Sequence, residues 1–242
     1  MPVPIPKTTV MKSTPEQLFD RYSESYSDLL NDSIKITGYE GDHFLRCKLK
    51  RLQSLFGKNL DSPFNFLDFG CGAGRTSEQI SEYFPTAHYV GVDASPKMIH
   101  QAKQNSVCDF FSLEETDWKQ KSYQLILAAN VFHHIPPAQH SSQLQDLKNV
   151  LAPGGSLVVW EHNPLNPVTR KIVRDCEFDR DAILIPARKM KALLRQSSSQ
   201  PVKILYTSFF PKSLSWFAPL ESRMEWLPLG AQYLAIIQAP NA

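Results

Sequence analysis

The stretch FLDFGCGAGRTS, Phe66 to Ser77, decides how this chain is read. A short apolar run, Phe64–Phe69, meets three alternating glycines, Gly70, Gly72 and Gly74, and a helical stretch follows from Arg75 to Phe84. Glycine at 70 and 72 lets the backbone turn tightly and approach a ligand with no Cβ in the way. The unpaired N–H groups at the helix start add donors and a partial positive charge. Two cofactors use this geometry. The dinucleotide fingerprint G-x-G-x-x-G needs a glycine three places after Gly72, where this chain has Arg75, so the pattern is G-x-G-x-G instead. No G-x-x-x-x-G-K-[ST] occurs. Asp68, two residues ahead of Gly70, suits a cationic amine and would repel a pyrophosphate. Asp93 closes the run VGVD, 23 residues beyond Gly70, where a carboxylate at a strand tip accepts both hydroxyls of a ribose.

Outward from this segment, strand and helix signals alternate. His88–Val92 reads as a strand, Pro96–Asn105 as a helix, Val107–Phe111 as a weak strand and Tyr123–Ala129 as a buried strand. Ser141–Leu151 is helical in pattern, Ser156–Trp160 a strand, and Val168–Cys176 and Pro186–Gln196 are helices. Val202–Phe209, Ser213–Met224 and Gln232–Gln238 read as strand, helix and strand. Upstream, Thr14 caps a first helix carrying Leu18, Phe19, Tyr22 and Tyr26, and a second carries Phe44, Leu45, Leu49, Leu52 and Phe56. Such alternation predicts βαβ units and a mainly parallel sheet.

Composition bounds the function class. With 242 residues, 42% hydrophobic and 21% charged, the chain has ordinary globular usage, which excludes a disordered, collagenous or coiled-coil protein. A net charge of +2 gives no electrostatic reason to expect nucleic acid as partner. Four scattered cysteines, Cys47, Cys71, Cys108 and Cys176, form no C-x-x-C pair and read as free thiols. With no signal-like or membrane-spanning apolar run, a cytoplasmic protein is expected.

These segments together resemble the class I S-adenosylmethionine-dependent methyltransferases. FLDFGCGAG matches their first motif, GVDASPKMI their second, SYQLILAANVFHHIP the fourth-strand region, and VLAPGGSLVVWEHN the turn and strand after it. The resemblance covers residues 60–163 in motif detail and 14–242 in order of elements. It implies an α/β doubly wound, Rossmann-like sheet of seven strands in the order 3-2-1-4-5-7-6, the last strand antiparallel, with helices on both faces. The organisation expected is a mobile lead-in (1–13), then one domain of N-terminal helices (14–59), cofactor-binding core (60–163) and acceptor-side elements (164–242). The implied cofactor is S-adenosyl-L-methionine, leaving S-adenosyl-L-homocysteine, with the methyl passed to oxygen or nitrogen of a small or lipid-like acceptor.

By the same resemblance, the Asp68–Gly74 loop, with Gly70, Cys71 and Gly72, would hold the methionine end and Asp93 the ribose. Ala94 and Met98 would flank ribose and adenine, and Ser112 would close on the adenine. Asn130 and Val131 would line the sulfonium side, and Tyr26 would lie over the methionine end or simply pack. The chain departs from the family at Gln124, where Asp is usual in a structural role, and at CDFFSL, a poor third motif. Two other classes stay open: a cofactor-binding protein that acts through an interaction surface, and a nicotinamide-dependent oxidoreductase, weakened by Arg75.

The acceptor side is less legible. Glu161 and His162, after the fifth strand, are expected as a substrate-facing general base; the alternative is that Glu161 caps Asn163–Thr169 and His162 packs beneath it. The adjacent pair His133-His134 reads as structural or cofactor-side, with a catalytic role for His134 second. No metal site is expected there, because no nearby carboxylate or cysteine set completes one in the sequence. Asn163-Pro164-Leu165-Asn166-Pro167 stiffens a loop at the acceptor pocket. The basic helical stretches at 170–174 and 188–195 read as solvated faces, with a phosphate-, carboxylate- or lipid-bearing acceptor as the second reading. Trp216, Phe217 and Trp226 belong to an aromatic end that is core or pocket wall.

Overall fold

Alternate residues of the central strands are apolar on both faces, so the sheet needs cover on both sides. In the computed structural model, which describes Asp20 and residues 37–39, 41–177, 179, 181–196 and 200–241, it receives it. The strands are β1 (Phe64–Phe69), β2 (Ala87–Asp93), β3 (Asp109–Ser112), β4 (Tyr123–Ala129), β5 (Leu151–His162), β6 (Lys203–Thr207) and β7 (Gln232–Gln238). They form one sheet in the order β3-β2-β1-β4-β5-β7-β6. β1, β2, β3, β4 and β5 pair in parallel, and β7 runs antiparallel to both β5 and β6. Fold class, strand order and the reversed last strand are those expected from the sequence.

The α-helices are α1 (Gly41–Phe56), α2 (Arg75–Tyr83), α3 (Pro96–Asn105), α4 (His140–Asn149), α5 (Pro167–Asp175), α6 (Ala187–Arg195) and the short α7 (Glu221–Met224). The period of two divides the core. Phe66, Leu125 and Leu127 join a layer with Leu49 and Leu52 of α1, Ile80 of α2 and Ile99 of α3. Leu67, Ile126 and Ala128 face the other layer, with Leu144 and Leu147 of α4 and Met190 and Leu194 of α6. Each fully buried Leu or Ile adds roughly 1.5–3 kcal/mol relative to an exposed one, so the two layers hold the helices against the two faces of the sheet.

Two differences from the sequence reading have local causes. β5 runs from Leu151, well ahead of Ser156, because Leu151 pairs with Tyr123 before a register shift skips through Pro153-Gly154-Gly155. The stretch expected as one helix over 213–224 is a 3₁₀ segment, Lys212–Leu220, interrupted at Leu214 and carrying Pro219, followed by α7. Gln124 has a positioning role: its Oε1 accepts from the backbone N–H of Asn65 at 2.8 Å, tying the starts of β4 and β1. The first expected helix, with Tyr22 and Tyr26, and the lead-in 1–13 lie outside the described residues. Among the described residues no helix is long and apolar enough to cross a membrane.

Candidate active site

The C-terminal tips of β1, β2, β4 and β5 share one edge, and the chain leaves β1 toward β2 on one side and β4 on the other. That reversal opens a crevice at the strand tips. Gly70 sits in it with φ +79, and a Cβ there would lie 2.2 Å from Val131 Cγ2, so the loops after β1 and β4 meet as closely as glycine allows. Gly74, φ +80, is the left-handed N-cap of α2. Gly72, φ +55, differs from both: nothing lies within 4 Å of where its Cβ would be.

The loop is held by backbone bonds. Gly70 and Cys71 N–H both donate to Val92 C=O, at 2.7 and 3.1 Å. Asp93 then receives Gly72 N–H on Oδ2 at 2.9 Å and Ser95 N–H on Oδ1 at 2.8 Å. Burial raises the Asp93 pKa, and these two N–H bonds oppose the rise. Each oxygen keeps a lone pair beyond its backbone donor. Ser112 pairs directly with Asp93 across β2 and β3, so the expected ribose and adenine residues are neighbours. Ser95 caps α3 by accepting from Met98 N–H at 3.2 Å, and its hydroxyl donates to Asp20 at 2.5 Å. Met98 itself is buried in the α3 packing, and Ala94 lies at the partly open tip.

Asp68 is not an exposed carboxylate of the crevice. It is buried beneath the loop, with Tyr89 Oη donating to its Oδ2 at 2.8 Å. Burial pushes its pKa up, while Thr76, Tyr89 and the charge of Lys48 pull it back. Lys48, on α1, was not singled out in the sequence. Burial lowers it to about 8, against the attraction of Asp68 and Glu161, and its Nζ lies 5.9 Å from the centre of the Trp160 ring. Cys71 is buried, and the same burial holds its thiol protonated, well above the usual range.

Toward β5 the edge is built from side chains. Asn130 takes φ 58 and donates its N–H to Trp160 C=O at 2.7 Å, and the next two backbone N–H groups turn inward to Glu161. Glu161, with no exposed surface, receives Val131 N–H at 3.1 Å and Phe132 N–H at 2.7 Å on Oε1, and His133 Nδ1 on Oε2 at 2.5 Å. For His133, burial favours the neutral form, but the charge of Glu161 and the neighbouring Asp179 outweigh it and hold the pKa up at about 10. Glu161 stays ionised, against its burial, through His133. His162 sits beside this pair, its ring 5.2 Å from that of His133, and burial followed by the His133 charge lowers it to about 4. His134 is also lowered, first by burial and then by His133.

The side chain of Asn166, not Glu161, caps α5, accepting from Val168 and Thr169 N–H at 3.0 Å each. Asn163 ties the following loop to Pro228 and Gly230 C=O at 3.1 and 2.8 Å. Asp179 is the residue that sequence reasoning missed. It stands in CEFDRDA, a segment with no periodicity and no motif, and reaches the histidine pair only through the fold. Trp216 and Trp226 are exposed, so the aromatic end is not core.

The glycine loop and the two strand tips fit a nucleoside carrying an amino-acid tail. The open space over Gly72 admits backbone-close binding, and Asp93 offers oriented acceptor lone pairs for vicinal hydroxyls.

Comparison with known proteins agrees with this edge. Residues 67–157 match the model of a methyltransferase domain. Over 121 residues the chain is 31% identical to a trans-aconitate 2-methyltransferase of Rhodopseudomonas palustris, covering 49% of this chain and 46% of that protein. Over 117 residues it is 32% identical to the enzyme of that name from Methylobacterium radiotolerans, covering 48% and 44%. The match thus spans about half the length of these curated relatives. Among solved structures, a SAM-dependent methyltransferase from Thermotoga maritima superposes with a TM-score of 0.65 at 16% identity, over 92% of this chain and 98% of that one. The plantazolicin methyltransferase BpumL, solved with a triazolic desmethylPZN analog and SAH, gives 0.58 at 16% identity, over 92% and 100%.

Proposed function

We propose that this chain is a class I S-adenosylmethionine-dependent methyltransferase that transfers a methyl group to an oxygen or nitrogen of a small acceptor bound beside β4 and β5. The observation that carries the reading is the pairing of an open Gly72 with an Asp93 carboxylate already oriented by two backbone donors. Asp93 would hold the ribose, with Ser112 and Ala94 beside it. The loop Gly70–Cys71–Gly72 would pass under the amino-acid tail, supported from below by Asp68. Asn130 and Val131 would flank the reacting end.

S-adenosylmethionine supplies an already activated methyl on a sulfonium. What remains for the chain is to position the acceptor in line and exclude water, and positioning alone supplies up to roughly 7–11 kcal/mol of barrier reduction in favourable cases. Where the acceptor must lose a proton, His162 is the group proposed to take it. It is neutral at physiological pH and so able to accept a proton, while a pKa of about 4 makes it a weak base that serves only a proton made acidic by the forming bond. Glu161 orients the turn at 131–133 and His133, since its oxygens are engaged by three donors of the chain.

The relatives' names make trans-aconitate the first acceptor to assay, with other small carboxylates beside it. Nothing in the fold or the comparisons favours an oxidoreductase. Production of S-adenosylhomocysteine with an acceptor panel tests the proposal: turnover that His162→Ala reduces without changing cofactor affinity supports it. Cofactor binding without turnover on any acceptor of the panel would favour a binding protein.

A further inference from the structure

We propose that His133, His134 and Asp179 form a binding site for one divalent transition-metal ion of the zinc class. Donor atoms of the three side chains lie within 4.8 Å of one another. The side chains are 1%, 8% and 7% exposed respectively, so the donors converge in a nearly closed space. His133 Nε2 lies 3.5 Å and His134 Nε2 3.1 Å from the same oxygen, Asp179 Oδ1. Tetrahedral ligands at zinc bond lengths of about 2.0–2.1 Å stand roughly 3.3 Å apart, which both separations bracket.

These approaches are not ordinary hydrogen bonds. Asp179 Oδ1 is buried and has no aligned donor, despite two imidazole nitrogens this close. The imidazoles meet this buried oxygen as charge partners at 3.1 and 3.5 Å and not through an aligned N–H, and a cation bound by all three atoms would replace these contacts with directed bonds. The surroundings are those of a ligand set. His133 turns its other nitrogen, Nδ1, onto Glu161 at 2.5 Å, the carboxylate–histidine support that fixes which nitrogen faces a metal. Glu161 is itself fixed by Val131 and Phe132 N–H, so the support extends into β5.

The backbone explains how adjacent histidines converge. Residues 131–135 form a tight turn, with His134 N–H to Val131 C=O and Ile135 N–H to Phe132 C=O at 3.0 and 3.1 Å. Consecutive side chains therefore need not diverge as they would on a strand, and the two rings stand 4.2 Å apart. The Asp179 segment is fastened to this turn, since Ala182 N–H donates to Asp179 C=O and Ile183 N–H to His133 C=O, at 2.9 and 2.8 Å. Two imidazoles and one carboxylate select zinc, cobalt or iron over magnesium and calcium, which take oxygen ligands. Three protein ligands leave a position for a water or for an oxygen of a bound molecule.

The test needs no turnover, so its failure and that of the methyl-transfer reading are separate events. Full-length protein, stripped with chelator, is titrated with Zn²⁺ and with Co²⁺. The expected result is one ion per chain, a tetrahedral cobalt spectrum and a zinc-dependent rise in melting temperature. His134→Ala and Asp179→Asn should each weaken binding more than about 100-fold, and Glu161→Gln, by analogy with outer-shell partners, about 10–100-fold. His100→Ala, an exposed histidine on α3, should bind like wild type. If a variant fails to fold, the cobalt spectrum of the wild type decides: an aquo-like octahedral spectrum overturns the site. Absence of stoichiometric binding, or binding insensitive to His134→Ala and Asp179→Asn, overturns it as well.

Discussion

The two halves of the crevice are made by different means. On the β2 side, the loop at 70–74 and Asp93 are joined by backbone N–H groups, and the residues so joined come from two short runs, 68–77 and 92–95. On the β5 side, Glu161 collects donors from the turn after β4, and Asp179 reaches that turn from beyond α5. The first half depends on what glycine permits; the second depends on buried charges satisfying one another. A site made of backbone tolerates changes of side chain but not of φ, whereas a site made of buried charges fails when one partner is removed.

The largest effect should separate two glycines of one loop. Gly70→Ala meets a left-handed φ and the Val131 side chain together, so a loss of about 2–5 kcal/mol is expected in urea unfolding. Gly72→Ala meets only the φ, about 1–2 kcal/mol, and its main effect should be weaker cofactor binding. Equal destabilisation by both would remove the distinction between a packing glycine and a ligand-facing one.

On the other half, Glu161→Gln removes the charge that three donors address, and a loss of about 3 kcal/mol is expected, as when a buried pair loses one partner. A change below 1 kcal/mol, the size of an exposed pair, would mean that the charges on this side matter less than their burial suggests.

Protonation sharpens the contrast next. His162 has a folded pKa of about 4 against 6.5 when unfolded. Between these values the unfolded chain holds more protons, so stability rises with pH through the window and falls on acidification from 6.5 toward 4. The full loss is about 3 kcal/mol, measured in the presence of chelator, and His162→Phe should flatten that part of the acid limb. An unchanged limb in the variant would show that His162 is not kept neutral by the fold.

The same division explains what could be read in advance. G-x-G-x-G after a strand and a carboxylate after the next are local patterns with a steric and electrostatic reason, so the loop and the place of Asp93 were legible in adjacent residues, while the sheet order came from the family resemblance those residues carry. Short, nearly continuous apolar runs located β1, β4 and β7 to the residue, because these strands are covered on both faces. Asp179 had no such signal: it becomes a partner of His134 only when the chain returns after α5. Lys48 likewise looks like one more basic residue on an amphipathic helix, and its partnership with Asp68 and Glu161 exists only in three dimensions. Asp68 was legible as part of a motif, but its role as a buried support came from Tyr89 and Thr76.

The central claim, that the backbone-built half receives S-adenosylmethionine through Asp93, is tested most directly by calorimetry. Wild-type protein should bind S-adenosylmethionine and S-adenosylhomocysteine with one site per chain, and Asp93→Ala should weaken both at least tenfold, since a hydrogen bond to a charged group contributes about 1.5–3 kcal/mol. Equal affinity in the variant, or no heat from either compound at millimolar concentration, would contradict the account.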